Sequence, residues 1–168
     1  MEAINFARGV FHFVPFLLAF LVVNILVSLT LPLSFVYPTP VYNVNSHIAT
    51  FLFGYIQAIF NLHKPRISYS GDFLSIPYYE NALVISNHVS WSDFWLIQCL
   101  AIKKGMLGRC RYFAKSTLKW VPLLGWGFVA IGMPLVSRNW TKDGAEFKAL
   151  FEKILRNKWP MCRKLIYC

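Results

Sequence analysis

A histidine and an aspartate five residues apart are the side chains of this sequence best suited to acid–base chemistry. His88 and Asp93 lie between two apolar runs, in the stretch NALVISNHVSWSDFWLI, residues 81–97. A carboxylate that bonds to one imidazole nitrogen fixes the tautomer of the ring and stabilises its protonated form. The other ring nitrogen can then take a proton from a hydroxyl group. The structural alternative is that Asp93 only caps a helix and His88 fills a polar turn.

The flanking patterns predict a strand before His88 and a helix after it. The run ALVISN is continuously apolar and rich in β-branched residues, as is typical of a strand buried on both faces. Residues 90–104 predict a helix that Ser90 or Ser92 can cap. Because loops after the strands of α/β sheets carry ligand chemistry, His88 and Asp93 are predicted to meet at the carboxyl edge of the sheet.

The rest of the second half alternates between strand and helix patterns. Further strands are predicted at 66–70, 111–115 and 132–138, and an amphipathic helix is predicted at 141–157. The predicted apolar stripe of that helix consists of Phe147, Leu150, Phe151, Ile154 and Leu155. This alternation predicts an α/β fold with a largely parallel sheet, preceded by N-terminal hydrophobic membrane helices.

The first 63 residues are predicted to anchor the protein in a membrane. No Asp, Glu, Lys or Arg occurs between Arg8 and Lys64, and a transmembrane helix is predicted at about 11–36. A cleaved signal peptide is the alternative, but the apolar stretch is longer than a usual signal core. A turn-rich break is predicted from Pro38 to Ser46. A second hydrophobic helix follows at about 47–63, either interfacial, re-entrant or crossing.

Composition and charge point to a lipid or phosphorylated partner. The chain has 168 residues, 57% of them hydrophobic, and a net charge of +10, all of which lies in residues 81–168. Such a basic half beside an apolar half suggests anionic lipid or a phosphorylated substrate. Nucleic acid is not expected, because no nucleic-acid-binding motif accompanies the charge. The cysteines lack zinc-site spacing and are predicted to be free thiols.

The motifs in residues 64–160 resemble those of the glycerolipid acyltransferases, which acylate glycerol-phosphate and lysophospholipids. The N-H-x-x-x-x-D signature of that family matches Asn87, His88 and Asp93. Its K-x-x-L-x-x-x-P-x-x-G segment matches KSTLKWVPLLG at 115–125, and a Gly-to-Arg signature matches GMPLVSR at 132–138. Within the family, the likeness is to 1-acylglycerol-3-phosphate acyltransferases and their lysocardiolipin-type relatives.

The resemblance implies transfer of an acyl group from acyl-CoA to a lysophospholipid hydroxyl, foremost that of 1-acyl-sn-glycerol-3-phosphate. It implies that His88 is the general base and that Asp93 orients it, with no cofactor and no metal. It also implies that Arg138 binds the acceptor phosphate, with Lys115 and Asn87 as further substrate-binding residues. The implied partners are acyl-CoA, the lysophospholipid and membrane lipid. The implied location is the endoplasmic reticulum membrane, with the mitochondrial outer membrane or lipid droplets as alternatives.

The family's third signature, E-G-T-R, does not occur in this sequence. Residues 161–168 are therefore expected to be a divergent tail that does not form a strand, after an acyltransferase domain truncated at about residue 160. Three alternatives stay open at this stage. One is a lysophosphatidylinositol or lysocardiolipin acyltransferase in phospholipid remodelling, and another is a non-catalytic membrane module that keeps the fold. The third is a metal-dependent hydrolase, which the sequence disfavours because it offers no third ligand near His88 and Asp93.

Overall fold

The computed structural model describes residues 2–62, 64–87, 89–90, 92–137, 139–159 and 162–167. Within these ranges, the α-helices are α1 (Glu2–Leu29), α2 (Leu33–Val36), α3 (Pro38–Asn61), α4 (Asp93–Lys103), α5 (Leu124–Ala130) and α6 (Trp140–Asn157). The strands are β1 (Ala82–Asn87), β2 (Cys110–Tyr112), β3 (Ala114–Lys115), β4 (Leu135–Val136) and β5 (Cys162–Tyr167). Short 3₁₀ turns cover Phe73–Ser75, Leu107–Arg109 and Ser116–Trp120.

The described strands all pair in parallel. One sheet has the order β1–β5–β2, and a second consists of β3 beside β4. The chain passes from β1 through α4 to β2, which is the βαβ crossover that parallel strands require. The prediction of a parallel sheet with intervening helices is thus confirmed in coarse form, although helix outweighs strand in the described residues.

The C-terminal segment forms a strand, so the expectation that it would not do so was wrong. Strand β5 lies between β1 and β2, with Cys162 in register with both Ala82 and Cys110. Two parallel strands separated by an empty strand position would leave unpaired N–H and C=O groups along both inner edges. A strand in the middle satisfies both edges at once, and this pairing outweighs the weak strand pattern of the segment.

The other strand predictions had mixed outcomes. The predicted strand 111–115 forms as β2 and β3, which are separated at Phe113, and the predicted strand 132–138 forms only over Leu135–Val136. The prediction at 66–70 was wrong, because this segment has no regular secondary structure. It lies between Pro65 and Gly71, and no described strand lies beside it to pair with its backbone.

The amphipathic helix α6 matches its predicted range, but its buried stripe is rotated from the predicted one. Asp143 and Ile154 are buried, while Phe147 and Leu150 are partly buried. Phe147 meets the ring of Phe113 edge to face, with 5.2 Å between centroids. The two remaining members of the predicted stripe, Phe151 and Leu155, are exposed.

The N-terminal helices differ in their boundaries from the prediction. The first helix ends at Leu29 rather than near residue 36, and α3 begins at Pro38, where a break was expected. Proline is tolerated in the first turn of a helix, since the N–H it lacks would have no intrahelical partner there. Among the described helices, α1 is the one long and apolar enough to cross a membrane, over Phe11–Leu29 with a mean hydropathy of 2.3.

Helix α3 packs between α1 and the mixed helix–strand part of the chain. Its buried Asn45 donates to the Ala130 carbonyl at 3.1 Å and to the Thr30 hydroxyl at 2.8 Å. Its buried Gln57 donates to the Trp95 carbonyl of α4 at 3.1 Å. Because such buried amides are costly when unpaired, these bonds fix the rotation of α3 against both neighbours.

The closest approach on this interface is made by Gly108. A Cβ atom placed there would lie 2.0 Å from the Ser46 carbonyl oxygen and 2.0 Å from Thr50 Oγ1, both on α3. A backbone atom at that distance cannot move aside cheaply. The glycine is therefore required for α3 to reach the 3₁₀ turn Leu107–Arg109.

We expect Gly108→Ala to destabilise the protein by about 1–3 kcal/mol, because the added methyl group overpacks this interface. The matched control is Gly54→Ala, where an added Cβ would meet nothing within 4 Å. Alanine in that helix interior is expected to be neutral or to stabilise by about 0.5–1 kcal/mol. Urea unfolding in detergent micelles measures both changes, and equal midpoints for the two variants would contradict this account of Gly108.

Candidate active site

The carboxylate of Asp93 is bound to the loop that follows β1. Asp93 is the first residue of α4, and its Oδ2 accepts hydrogen bonds from the backbone N–H groups of Val89 at 2.8 Å and Ser90 at 3.0 Å. The Asp93 N–H in turn donates to the Ser90 carbonyl at 3.1 Å. The carboxylate is therefore folded back against the two residues that directly follow position 88.

His88 itself lies outside the described residues, so its contact with Asp93 stays a prediction. The described residues on either side of His88 show where it lies along the chain. Asn87, the last residue of β1, is exposed and lies at the carboxyl edge of the sheet. Position 88 therefore lies between a strand end and a loop whose next two N–H groups are fixed by one carboxylate.

The serines of the loop have a different role from the one predicted. Ser92 occupies the N-cap position of α4, but its side chain makes no capping hydrogen bond. Instead, the Ser92 N–H donates to Ser90 Oγ at 3.0 Å, and the two hydroxyl oxygens lie 2.6 Å apart. These bonds stabilise the turn before α4. The carboxylate of Asp93 and the hydroxyl of Ser90 therefore both contribute hydrogen bonds that hold this turn.

Lys115 lies shortly after the strand that shares β5 with β1. Val84 of β1 and Tyr112 of β2 both pair with residue 164 of the intervening strand β5. Lys115 is exposed and ends β3, which belongs to the second sheet and pairs there with β4 through Val136. Asn87 and Lys115 therefore each end a strand, but in different sheets.

Arg138 also lies outside the described residues, so its role as phosphate ligand stays a prediction. The chain reaches it from β4 through Ser137, whose N–H and Oγ both donate to Asp143 Oδ1, at 2.9 and 2.7 Å. Asp143 belongs to the first turn of α6 and is buried. This contact fixes the residue before Arg138, a positioning role for Asp143 that the sequence reasoning missed.

The glycines of the two later motifs have structural roles that only the fold reveals. A Cβ at Gly125 would lie 2.1 Å from the Lys119 carbonyl oxygen, so the K-x-x-L-x-x-x-P-x-x-G segment closes on itself there. Gly132 has φ +73°, a left-handed conformation that suits glycine at the turn between α5 and β4. Both glycines shape the path from Lys115 to β4.

The tryptophans do not form one lipid-contacting set. Trp95 is buried and stacks on Phe60 of α3, with 5.7 Å between ring centroids. Trp120 and Trp126 are 78% and 55% exposed, and Trp91 lies outside the described residues. The sequence alone does not separate core from surface tryptophans here, because both kinds lie in similarly apolar runs.

The segment that contains this site matches a known protein family. The model of a family described as Acyltransferase matches residues 66–163, which is more than half of the chain and includes β1, the loop and α4. The chain belongs to this acyltransferase family. The resemblance inferred from the N-H-x-x-x-x-D signature is thereby confirmed.

The names of individual relatives are consistent with this family. The chain is 35% identical over 92 residues to a probable 1-acyl-sn-glycerol-3-phosphate acyltransferase 5 of Arabidopsis thaliana, covering 53% of this chain and 23% of that protein. It is 38% identical over 69 residues to a mouse (Mus musculus) 1-acyl-sn-glycerol-3-phosphate acyltransferase delta, covering 40% and 18%. An uncharacterised acyltransferase of Schizosaccharomyces pombe is 27% identical over 152 residues, covering 77% and 43%.

The chain therefore spans less than half of the length of each of these relatives. No solved structure matches it.

We expect Asp93→Ala to destabilise the protein by about 0.5–2 kcal/mol, because the N–H groups of Val89 and Ser90 lose their acceptor at the start of α4. Asp93→Asn should lose less stability, since the amide oxygen can still accept both bonds. Asp72→Ala is the matched control: Asp72 is an exposed aspartate whose backbone carbonyl, rather than its side chain, accepts from Ser75. Thermal or urea unfolding compares the three variants, and a control that lost as much stability as Asp93→Ala would contradict the role of the Asp93 carboxylate in holding the loop.

Proposed function

We propose that the protein transfers an acyl group from acyl-CoA to the free hydroxyl of a lysophospholipid, with 1-acyl-sn-glycerol-3-phosphate as the favoured acceptor. The observation that carries this proposal is the carboxylate of Asp93, bound to the loop after β1 within the matched family segment. The names of the matched relatives from Arabidopsis and mouse support the choice of acceptor.

In the proposed reaction, the imidazole of His88 removes the proton of the acceptor hydroxyl as that oxygen attacks the thioester carbonyl. A tetrahedral oxyanion forms and collapses, the carbon–sulfur bond breaks, and the CoA thiolate takes up the proton from the imidazolium. Asp93 favours this path by stabilising the imidazolium that forms. Its two backbone hydrogen bonds hold the carboxylate in place before the reaction, so no reorganisation is needed.

The acceptor phosphate is assigned to the carboxyl edge of the sheet. We assign it to Arg138, with Lys115 and Asn87 beside it, since a guanidinium fork matches phosphate geometry. Asp143 positions the residue before Arg138 through Ser137.

We expect His88→Ala to lower kcat by about 10²–10⁴-fold, the usual contribution of a general base. Asp93→Asn should lower kcat by a comparable factor while keeping most of the stability, because it retains the hydrogen-bond acceptor but loses the charge. Release of CoA thiol and formation of phosphatidic acid, both measured with purified protein, give the rates. Asp72→Asn is the control, and equal rates for His88→Ala and the unchanged protein would refute the proposed reaction.

We also propose that the protein is held in a membrane by α1, with the endoplasmic reticulum as the expected location. The apolar window Phe11–Leu29 supports this, and α5 packs against the same window. A Cβ at Gly127 of α5 would lie 2.5 Å from Asn24 Oδ1, and Ser28 Oγ donates to the Leu123 carbonyl at 3.3 Å. The exposed Trp126 of α5 is then expected to lie at the depth of the lipid interface, where tryptophan is favoured.

A polarity-sensitive fluorophore on Trp126→Cys should be quenched by spin-labelled lipid, as should one on Ile25→Cys of α1. A fluorophore on Leu155→Cys, an exposed position of α6, should instead be quenched by aqueous iodide. The experiment uses a chain in which Cys162 and Cys168 are replaced by serine, so that the fluorophore reacts only at the introduced cysteine. Cys99 and Cys110 are kept, because they are buried thiols. Iodide quenching of both Ile25→Cys and Trp126→Cys would refute the proposal that α1 holds the protein in a membrane. Quenching by lipid at Ile25→Cys alone would refute only the placement of α5 at the lipid interface.

A further inference from the structure

Two arginines lie buried beside each other at the interface between α3 and the rest of the chain. Arg111 is fully buried, and its guanidinium donates to three backbone carbonyls and to Ser46 Oγ of α3. Burial lowers the pKa of Arg111, and the positive charge of Arg109 acts in the same direction. No carboxylate is among the described partners of either arginine. Two buried positive charges without a counter-charge are costly, and this cost favours an anion nearby.

Arg109 is held in a defined orientation but is not fully satisfied. Its Cζ atom lies 5.2 Å from the ring centroid of Tyr42 and 5.2 Å from that of Tyr79. Its Nη2 donates to Asn43 Oδ1 at 3.0 Å, whereas its buried Nη1 has no hydrogen-bond partner. Only 8% of Arg109 is exposed, so an unpaired Nη1 is costly unless a ligand supplies an acceptor.

A cavity of about 290 Å³ lies directly beside this arginine. It is bounded by Arg109 and the turn before it, by Ser46, His47 and Thr50 of α3, and by Tyr79. Its volume is at the lower end of the range for ligand pockets, which suits a compact head group rather than an acyl chain. His47 is exposed at the rim and offers a ring N–H to a ligand.

Tyr79 covers one side of Arg109, and it has a strained backbone conformation and a partly exposed side chain. Its φ of 59° is a strained conformation for a bulky side chain, and 45% of the residue is exposed. Its N–H donates to the Lys104 carbonyl at 2.9 Å, which holds its backbone in place. The proposed site requires rotation of the ring, which would open Nη1 of Arg109 toward the cavity.

The cavity is separate from the site assigned to acyl transfer. It adjoins Ile102 and Gly105 at the C-terminal end of α4, whereas Asp93 lies at the N-terminal end of that helix. An α-helix rises about 1.5 Å per residue, so roughly 15 Å separate the two ends. A ligand small enough for this cavity would therefore not reach the loop after β1.

We propose that the cavity beside Arg109 binds a phosphate group, at a site distinct from that of acyl transfer. The guanidinium supplies the charge and a donor from Nη1, and His47 supplies a second donor at the rim. Phosphate fits because its several acceptor oxygens can satisfy a guanidinium edge and an imidazole N–H together. The phosphate belongs either to a soluble molecule or to a phospholipid head group.

The test is isothermal titration of the full chain in detergent micelles with inorganic phosphate. Arg109→Gln should weaken binding at least about tenfold, which corresponds to one charge-assisted hydrogen bond of 1.4 kcal/mol. Arg66→Gln, an exposed arginine outside the cavity, should bind as the unchanged chain does. Arg138→Gln, which removes the residue assigned to the acceptor phosphate, should leave phosphate binding in this cavity unchanged, and this separates the cavity from the acyl-transfer site.

A second variant keeps the test decisive if Arg109→Gln does not fold, as judged by circular dichroism. His47→Gln alters only an exposed side chain at the rim and should weaken binding about three- to tenfold. Absence of binding at about 10 mM phosphate, above the millimolar range of a weak single-anion site, would overturn the proposal. Unchanged affinity in His47→Gln and Arg109→Gln would also overturn it.

The source of the phosphate is decided by competition. The chain is placed in phosphatidylcholine nanodiscs with or without about one-tenth phosphatidic acid, an amount that supplies the anionic head group in excess. Loss of the inorganic phosphate signal with phosphatidic acid would support a lipid head group as the occupant. A retained signal would support a soluble phosphate compound in the same cavity.

Discussion

The buried guanidinium of Arg111 joins the N-terminal helices to the sheet. From β2 it bonds to Ser46 of α3, to the Gly108 carbonyl and to the Ile131 carbonyl after α5. Removing a buried cation from such a set would leave several acceptors unpaired, so the three segments are held together as a unit. Close approach at Gly108 makes this geometry possible, because any side chain there would push α3 away. The N-terminal helices and the segment that contains Asp93 are therefore packed together.

That packing positions α4 and, with it, Asp93 at the proposed site. Helix α4 lies against α3 through Gln57 and Trp95, so the start of α4 is fixed relative to β1. Asp93 can then hold the loop after β1 through two short hydrogen bonds. The opposite end of α4 contributes to the cavity beside Arg109. In the two proposals, one helix has the acid–base loop at one end and the phosphate cavity at the other, so the two anionic groups would not compete.

The sequence predicted local features well where one pattern decided them. ALVISN became β1, and the stretch after it became α4 with Asp93 in its first turn. The prediction that this strand is buried on both faces was wrong, because Leu83 and Ile85 are exposed on one face. Features that depend on distant partners were not predicted. The C-terminal segment became β5 because β1 and β2 left a strand position between them, and no pattern within that segment signals those partners. Likewise, α3 begins at Pro38 and not near residue 47, since proline is read as a break unless its helix position is known.

The sequence by itself determined the family and the order of its motifs, because these depend on residue types at short spacing, and it predicted the acid–base pair His88 and Asp93. Only the tertiary structure decided the backbone partners of Asp93 and the burial of Arg109 and Arg111. A lysine or arginine in a basic sequence reads as a surface charge. Burial without a carboxylate partner is a property of the fold, since it depends on which helices and turns close around the side chain.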